Sequence, residues 1–168
     1  SELNEMEMQG IIAAEKWLVS HTPSDVLNES FVRKLHTKMF GSVWSWAGTY
    51  RTTERNIGVE PYQIPVKQKS LFDDTHFWIE NATYPPQEIA IRFHHKLVWI
   101  HPFPNGNGRI SRLMADLLIR QIGGNPLFWG KADLVSISAT RTQYIKALQK
   151  ADNGDYSDLL VFTSGPVS

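Results

Sequence analysis

His101-Pro-Phe-Pro-Asn-Gly-Asn-Gly-Arg-Ile-Ser-Arg112 stands between two stretches of helical periodicity. Upstream, Ile89, Phe93, Leu97 and Ile100 mark one face of a helix over 87–100. Downstream, Ile110, Leu113, Met114, Leu117 and Leu118 follow the i, i+3, i+4, i+7, i+8 pattern of a core-facing helix. Gly123-Gly124 supplies that helix with its stop. Pro102 takes His101 out of helical geometry. The loop ends one helix and opens the next.

The same twelve residues carry chemistry. The second helix begins near Asn107 or Gly108. Its first N–H groups lack intrahelical partners, and the helix dipole places partial positive charge there. Gly106 and Gly108 bring no side chain, so an anion can approach the backbone closely. Arg109 and Arg112, three residues apart, lie about 60° apart on the helix. They share a side away from Leu113 and Leu117, and their forked guanidinium groups suit phosphate oxygens. Two cations in a first turn oppose the dipole unless an anion sits between them. Asp116, one turn after Arg112, is placed to orient it. His101 is the group here suited to taking a proton near neutral pH. A histidine base, an anion-binding turn and two arginine clamps together read as a phosphate-handling site.

Working outward, helices are expected over 3–19, 28–40, 68–81, 138–151 and 156–163. Between them, 52–65 combines strand formers (Thr53, Ile57, Val59, Tyr62, Ile64) with turn formers (Asn56, Gly58, Pro61), the pattern of a short hairpin or extended flap. The sum is an all-α domain with one small β flap. His94 and His95 precede the loop, but adjacent helical positions point to different faces. They read as partly buried or surface histidines rather than metal ligands. The tryptophans are dispersed through apolar faces and read as core. Glu5, Glu7 and Glu15 read first as a solvated helix face.

A chain of 168 residues suits one domain with one sizeable core. Lys plus Arg and Asp plus Glu both number 17, so no net charge draws the chain to nucleic acid or an anionic membrane. Any anion must be bound locally. The chain has no cysteine, which excludes disulfides and thiolate metal sites. No signal peptide and no bilayer-length apolar run is present, which points to the cytoplasm.

The stretch from His101 to Arg112 resembles the motif H-x-F-x-[DE]-G-N-G-R-x-x-R of the Fic (filamentation induced by cAMP) domain family. Asn105 is the departure, standing where the motif has Asp or Glu. Trp46-Ala-Gly-Thr-Tyr-Arg51 resembles the segment before that family's flap, and Tyr144-Ile-Lys-Ala-Leu148 its tail. The wording from His94 to Arg109 is closest to the bacterial subgroup labelled mobile mystery protein B. The resemblance implies a single domain over 1–168, a Fic-type helical bundle with a small β-hairpin flap, and a regulatory N-terminal helix over 1–19. It implies a protein adenylyltransferase moving AMP from ATP to a Ser, Thr or Tyr hydroxyl of a target protein, self included. An antitoxin-like regulator is compatible with it.

By motif position, His101 becomes the general base. Gly106, Asn107 and Gly108 become the anion hole, and Arg109 and Arg112 the β- and γ-phosphate holders. Ile57, Gly58 and Val59 become the flap that pins the target by strand-like pairing. The acidic motif residue ligates magnesium bridging the ATP phosphates. Asn105 offers a neutral carbonyl instead, so weaker magnesium binding is expected. The family's inhibitory helix places a glutamate on the second motif arginine, which makes Glu5 or Glu7 the candidate to reach Arg112. The alternatives are another phosphate-containing donor, or a nucleotide-binding regulatory module with weak catalysis.

Overall fold

The computed structural model describes residues 2–130 and 137–166, so the expected limits at 1 and 168 lie outside the described residues. The helices are α1 (Glu2–His21), α2 (Glu29–Phe40), α3 (Ile64–Glu80), α4 (Pro86–Ile100), α5 (Asn107–Gln121), α6 (Ile137–Asp152) and α7 (Ser157–Ser164), with one 3₁₀ turn, Pro61–Gln63, before α3.

Local chemistry sets the ends of these helices. Asn28 caps α2, its side chain accepting from the Phe31 N–H at 2.8 Å. Pro86 opens α4 at a position where its missing N–H costs nothing. At the end of α5, Gly123 N–H donates to Arg120 O and Gly124 N–H to Ile119 O, with Gly123 at φ +79°. This is a Schellman stop, and the glycine pair was its sequence signal.

α4 and α5 pack against each other through Ile89, Phe93, Leu97 and Ile100 on one side and Ile110, Met114, Leu117 and Leu118 on the other, all buried. α1 packs on α2, where Gly10 lets the helices approach so closely that a Cβ there would lie 2.1 Å from Met39 O. α3 covers α4 through Leu71 and Phe72. A smaller cluster, with Ile91, Leu148 and Leu159 at its centre, docks α6 and α7 onto α4. α6 stands across a cleft from the first turn of α5.

The expected β-hairpin flap is absent: among the described residues the structure has no strand. Two causes are visible. Asn56 (φ +59°) and Gly58 (φ +84°) interrupt the extended run on either side of Ile57, which leaves no unbroken strand through the middle of the segment. Its polar backbone also finds other partners: Val59 N–H donates to Ile100 O at 3.3 Å, and Val59 O accepts from the Arg51 guanidinium. Tyr62 and Ile64, counted as strand formers, belong to the 3₁₀ turn and the first turn of α3. Pro61 and Pro65 there fix φ at helix-starting values, and Ile64 is fully buried. Packing decides the conformation of these residues against their β preference.

Candidate active site

His101 ends α4 in the left-handed region, at φ 55° and ψ 61°. The expectation that Pro102 removes it from the helix is met, though by a left-handed turn rather than an extended residue. Such a backbone costs a non-glycine residue on the order of 1–3 kcal/mol and persists only where neighbours enforce it. Arg51 is the enforcer. Its buried guanidinium donates to His101 O (2.5 Å), Ile100 O (3.2 Å), Thr53 O (3.2 Å) and Val59 O. One side chain thus gathers the end of α4 and the 52–60 loop. Gly58 fits beneath His101, where a Cβ would come within 2.6 Å of the His101 Cβ. Burial, and then the positive charges of Arg51 and Arg55, lower the His101 pKa from its ordinary value. The imidazole is therefore neutral at physiological pH, the form a base requires.

The loop after His101 is locked by two amides. The Asn107 side chain accepts from Phe103 N–H (2.9 Å) and donates to Phe103 O (2.7 Å). Asn107 is buried, so what it offers the cleft is its backbone. Asn105 Oδ1 accepts from the Gly106 N–H at 2.7 Å. Gly106 starts α5 in a left-handed conformation (φ +80°), and no side chain caps the helix. A Cβ on Gly106 would lie 2.5 Å from Phe40 Cε2, so glycine is required there on two counts. The first turn of α5 faces the cleft uncapped, with the dipole behind it.

His36 supports this loop from below. It is fully buried and stacked on Phe103, with centroids 3.9 Å apart. Gly48 N–H donates to its Nδ1 (2.9 Å), which leaves Nε2–H to donate to Asn105 O (3.0 Å). Burial, only partly offset by the Asn105 bond, lowers its pKa to about 4. Neither His36 nor Arg51 was assigned a role from sequence. His36 carried a faint signal, since it lies one turn from both Val32 and Phe40 on an apolar face. Arg51 carried none.

The two arginines differ. Arg109 lies over the Phe40 ring (4.7 Å) and forms an ion pair with Glu7 of α1. Arg112 lies over Tyr144 of α6 (5.9 Å). Asp116 does not orient Arg112 in an ion pair; it accepts from Trp129 Nε1 at 2.9 Å. Glu7, rather than the exposed Glu5, reaches the site, and it meets the first arginine rather than Arg112. His94 and His95 are more buried than expected: His94 bonds the Tyr144 hydroxyl, and His95 bonds Asp152 and the Tyr156 hydroxyl.

These groups line one cleft of about 1100 Å³, which joins His101, residues 105–109 and Arg112 to Trp129, Arg141 and Tyr144. Ile57 and Gly58 edge it; Val59 is buried, with both backbone groups bonded inward. Among the described residues, no three carboxylates or histidines gather to hold a metal. Asn105 could give magnesium one neutral oxygen, already shared with Gly106 N–H, so these residues do not by themselves make a magnesium site.

A Fic domain is the class that this loop and these helices define, and the model of the Fic/DOC family matches residues 26–119. The chain belongs to that family. It is 28% identical to a protein adenylyltransferase Fic of Nematostella vectensis across 98% of its own length and 38% of the relative's. It is 30% identical to the protein adenylyltransferase fic-1 of Caenorhabditis elegans, over 78% of this chain and 25% of that one. The chain thus spans well under half the length of these curated relatives. Among solved structures, Fic-1 of C. elegans (aa134–508) superposes with a TM-score of 0.78 at 27% identity, covering 96% of this chain and 48% of that one. The BepC effector of Bartonella tribocorum, solved with bound AMPPNP, superposes with a TM-score of 0.71 at 20% identity, covering 96% and 84%. No helix among the described residues is long and apolar enough to cross a membrane.

Proposed function

We propose that this chain transfers AMP from ATP to a Ser, Thr or Tyr hydroxyl of a target protein. The observation that carries the reading is the placement of a neutral histidine at the lip of the cleft whose floor is an uncapped helix N-terminus flanked by two arginines. His101 takes the proton of the acceptor hydroxyl. The hydroxyl oxygen attacks the α-phosphorus, a new P–O bond forms, and the bond to the departing pyrophosphate breaks. The backbone N–H groups of Gly106, Asn107 and Gly108 stabilise charge on the phosphate oxygens, and Arg109 and Arg112 hold the β- and γ-phosphates. Most of the rate enhancement comes from position and fixed charge. The adenylyltransferase names of the relatives and the AMPPNP held by BepC support this reading.

Ile57 and Gly58 are the part of the 52–60 loop free to meet the target, and α1 is the regulatory element, through Glu7. Magnesium, where it takes part, arrives on the nucleotide phosphates, and no step above passes through it.

The test uses ATP labelled separately at the α- and γ-phosphates, incubated with the protein, with and without lysate, beside His101→Ala. Protein label from the α-phosphate alone, lost in His101→Ala, is the expected result. Label from the γ-phosphate identifies phosphate transfer. ATP affinity without label identifies a nucleotide-binding module.

A further inference from the structure

Arg112 has an unusual environment for a half-buried guanidinium. Among the described residues it forms no ion pair: Asp116, one turn on, feels its charge only at longer range and accepts from Trp129. What faces it is the Tyr144 phenol, reached from the opposite wall of the cleft. We infer that Tyr144 is a positioning residue that aims Arg112 at the distal phosphates of a bound nucleoside polyphosphate, an inference that rests on the phosphate-clamp reading of Arg112.

The phenol is itself held in place. The Tyr144 hydroxyl lies 2.6 Å from His94 Nε2, and His94 is fully buried. Burial lowers the His94 pKa to about 3, so its ring is neutral; with the proton on Nδ1, on the side of the Ser111 backbone, Nε2 accepts. In that tautomer the phenol proton points to His94 of α4, and the oxygen lone pairs are left for the Arg112 guanidinium of α5, whose bond to this hydroxyl works against the rise of the phenol pKa. Trp129 closes the cage: its ring centroid lies 4.6 Å from that of His94 and 6.3 Å from that of Tyr144, the latter edge-on, and its Nε1 is fixed by Asp116. Burial also keeps the phenol protonated.

The chemistry explains why a neutral partner stands here. A carboxylate would fix the guanidinium equally well but would neutralise it, and an incoming phosphate would have to displace it. A phenol steers the fork and leaves the charge available. Arg109, paired with Glu7, is the contrasting case in the same cleft.

The experiment measures ATP and AMP affinities by calorimetry for the wild-type chain, Tyr144→Phe and Arg112→Ala. Tyr144→Phe keeps the ring and removes the hydroxyl. The expected result is about a five- to tenfold loss of ATP affinity with AMP affinity unchanged, in the range of one lost hydrogen bond. Equal loss for both nucleotides shows that Tyr144 only docks α6, and no loss for either shows that Arg112 needs no guide; both overturn the inference. Arg112→Ala tests the underlying reading separately. If it weakens ATP and AMP equally, Arg112 does not hold the distal phosphates and the clamp fails. If it weakens ATP alone while Tyr144→Phe does not, only the positioning role fails. Should Tyr144→Phe not fold, His94→Gln replaces it, leaving the phenol but changing its acceptor. The expected shift is in the same direction, and an unchanged ATP-to-AMP ratio overturns the inference.

Discussion

Glu7 and Arg109 are paired across 102 positions of sequence, closing α1 over the first turn of α5. Both side chains are substantially buried, so the pair is stronger than a solvated surface bridge. An ATP phosphate that uses Arg109 must break it. Glu7→Gln is therefore expected to raise ATP affinity and label transfer about tenfold, the scale of one charge-assisted hydrogen bond. Glu5→Gln, altering an exposed side chain, should change neither. Equal behaviour of the two variants in the labelled-ATP assay would remove α1 from regulation.

Arg51 should prove as important as the motif residues. Replacing it with Met leaves the carbonyls of Val59 and His101 without their side-chain donor and Ile100 O with Val59 N–H alone, at about 2–4 kcal/mol. The melting temperature should fall by roughly 5–15 °C. Below that temperature the folded variant should still bind ATP, because Arg109 and Arg112 are untouched, yet transfer label at least about tenfold more slowly as His101 loses its orientation. Arg51→Lys should resemble Met, since one ammonium cannot span carbonyls that a planar fork reaches together. A lysine variant with full transfer rate would show that His101 holds its left-handed turn unaided.

The contrast between His101 and Arg51 shows what sequence could convey. The helices around the site were legible because their buried faces repeat every three to four residues, and the turn was legible because glycine and asparagine mark it. Gly106 and Arg112 stood in one continuous run. Arg51 lies 50 residues from the carbonyl it holds, and no local pattern marks that distance. The 52–60 loop was misread for the same reason. Its residues favour strands, but its hydrogen bonds go to the end of α4 and to Arg51 rather than to a neighbouring strand. Glu7 was legible as a candidate, but its choice of Arg109 over Arg112 depends on how α1 crosses α2, which composition does not encode.

Asn105 carries the next expectation. Its Oδ1 is neutral and is engaged by Gly106 N–H. Asn105→Asp puts an anionic oxygen, which magnesium prefers, at the mouth of the cleft. The magnesium concentration needed for half-maximal label transfer should fall several-fold, while nucleotide affinity measured without metal should not improve. A magnesium requirement identical in both proteins would show that position 105 does not contact the ion.

Acid should unfold this protein through its buried histidines. In an unfolded chain a histidine binds a proton near pH 6.5. In the fold, burial holds His36 to about 4 and His94 to about 3, and burial lowers His95 despite Asp152. Below pH 6.5 the unfolded state therefore binds more protons than the native state, and stability falls with pH. The contribution is complete above about pH 7 and declines from 6.5 downward, until His36 protonates in the fold near 4 and His94 near 3. By pH 4 the two together should remove on the order of a few kcal/mol. Urea midpoints measured between pH 7.5 and 4 should trace this decline. His94→Gln, although less stable at pH 7.5, should show a shallower decline because one titrating group is gone. Parallel curves for the two proteins would mean that His94 does not enter the fold as the neutral ring that Tyr144 requires.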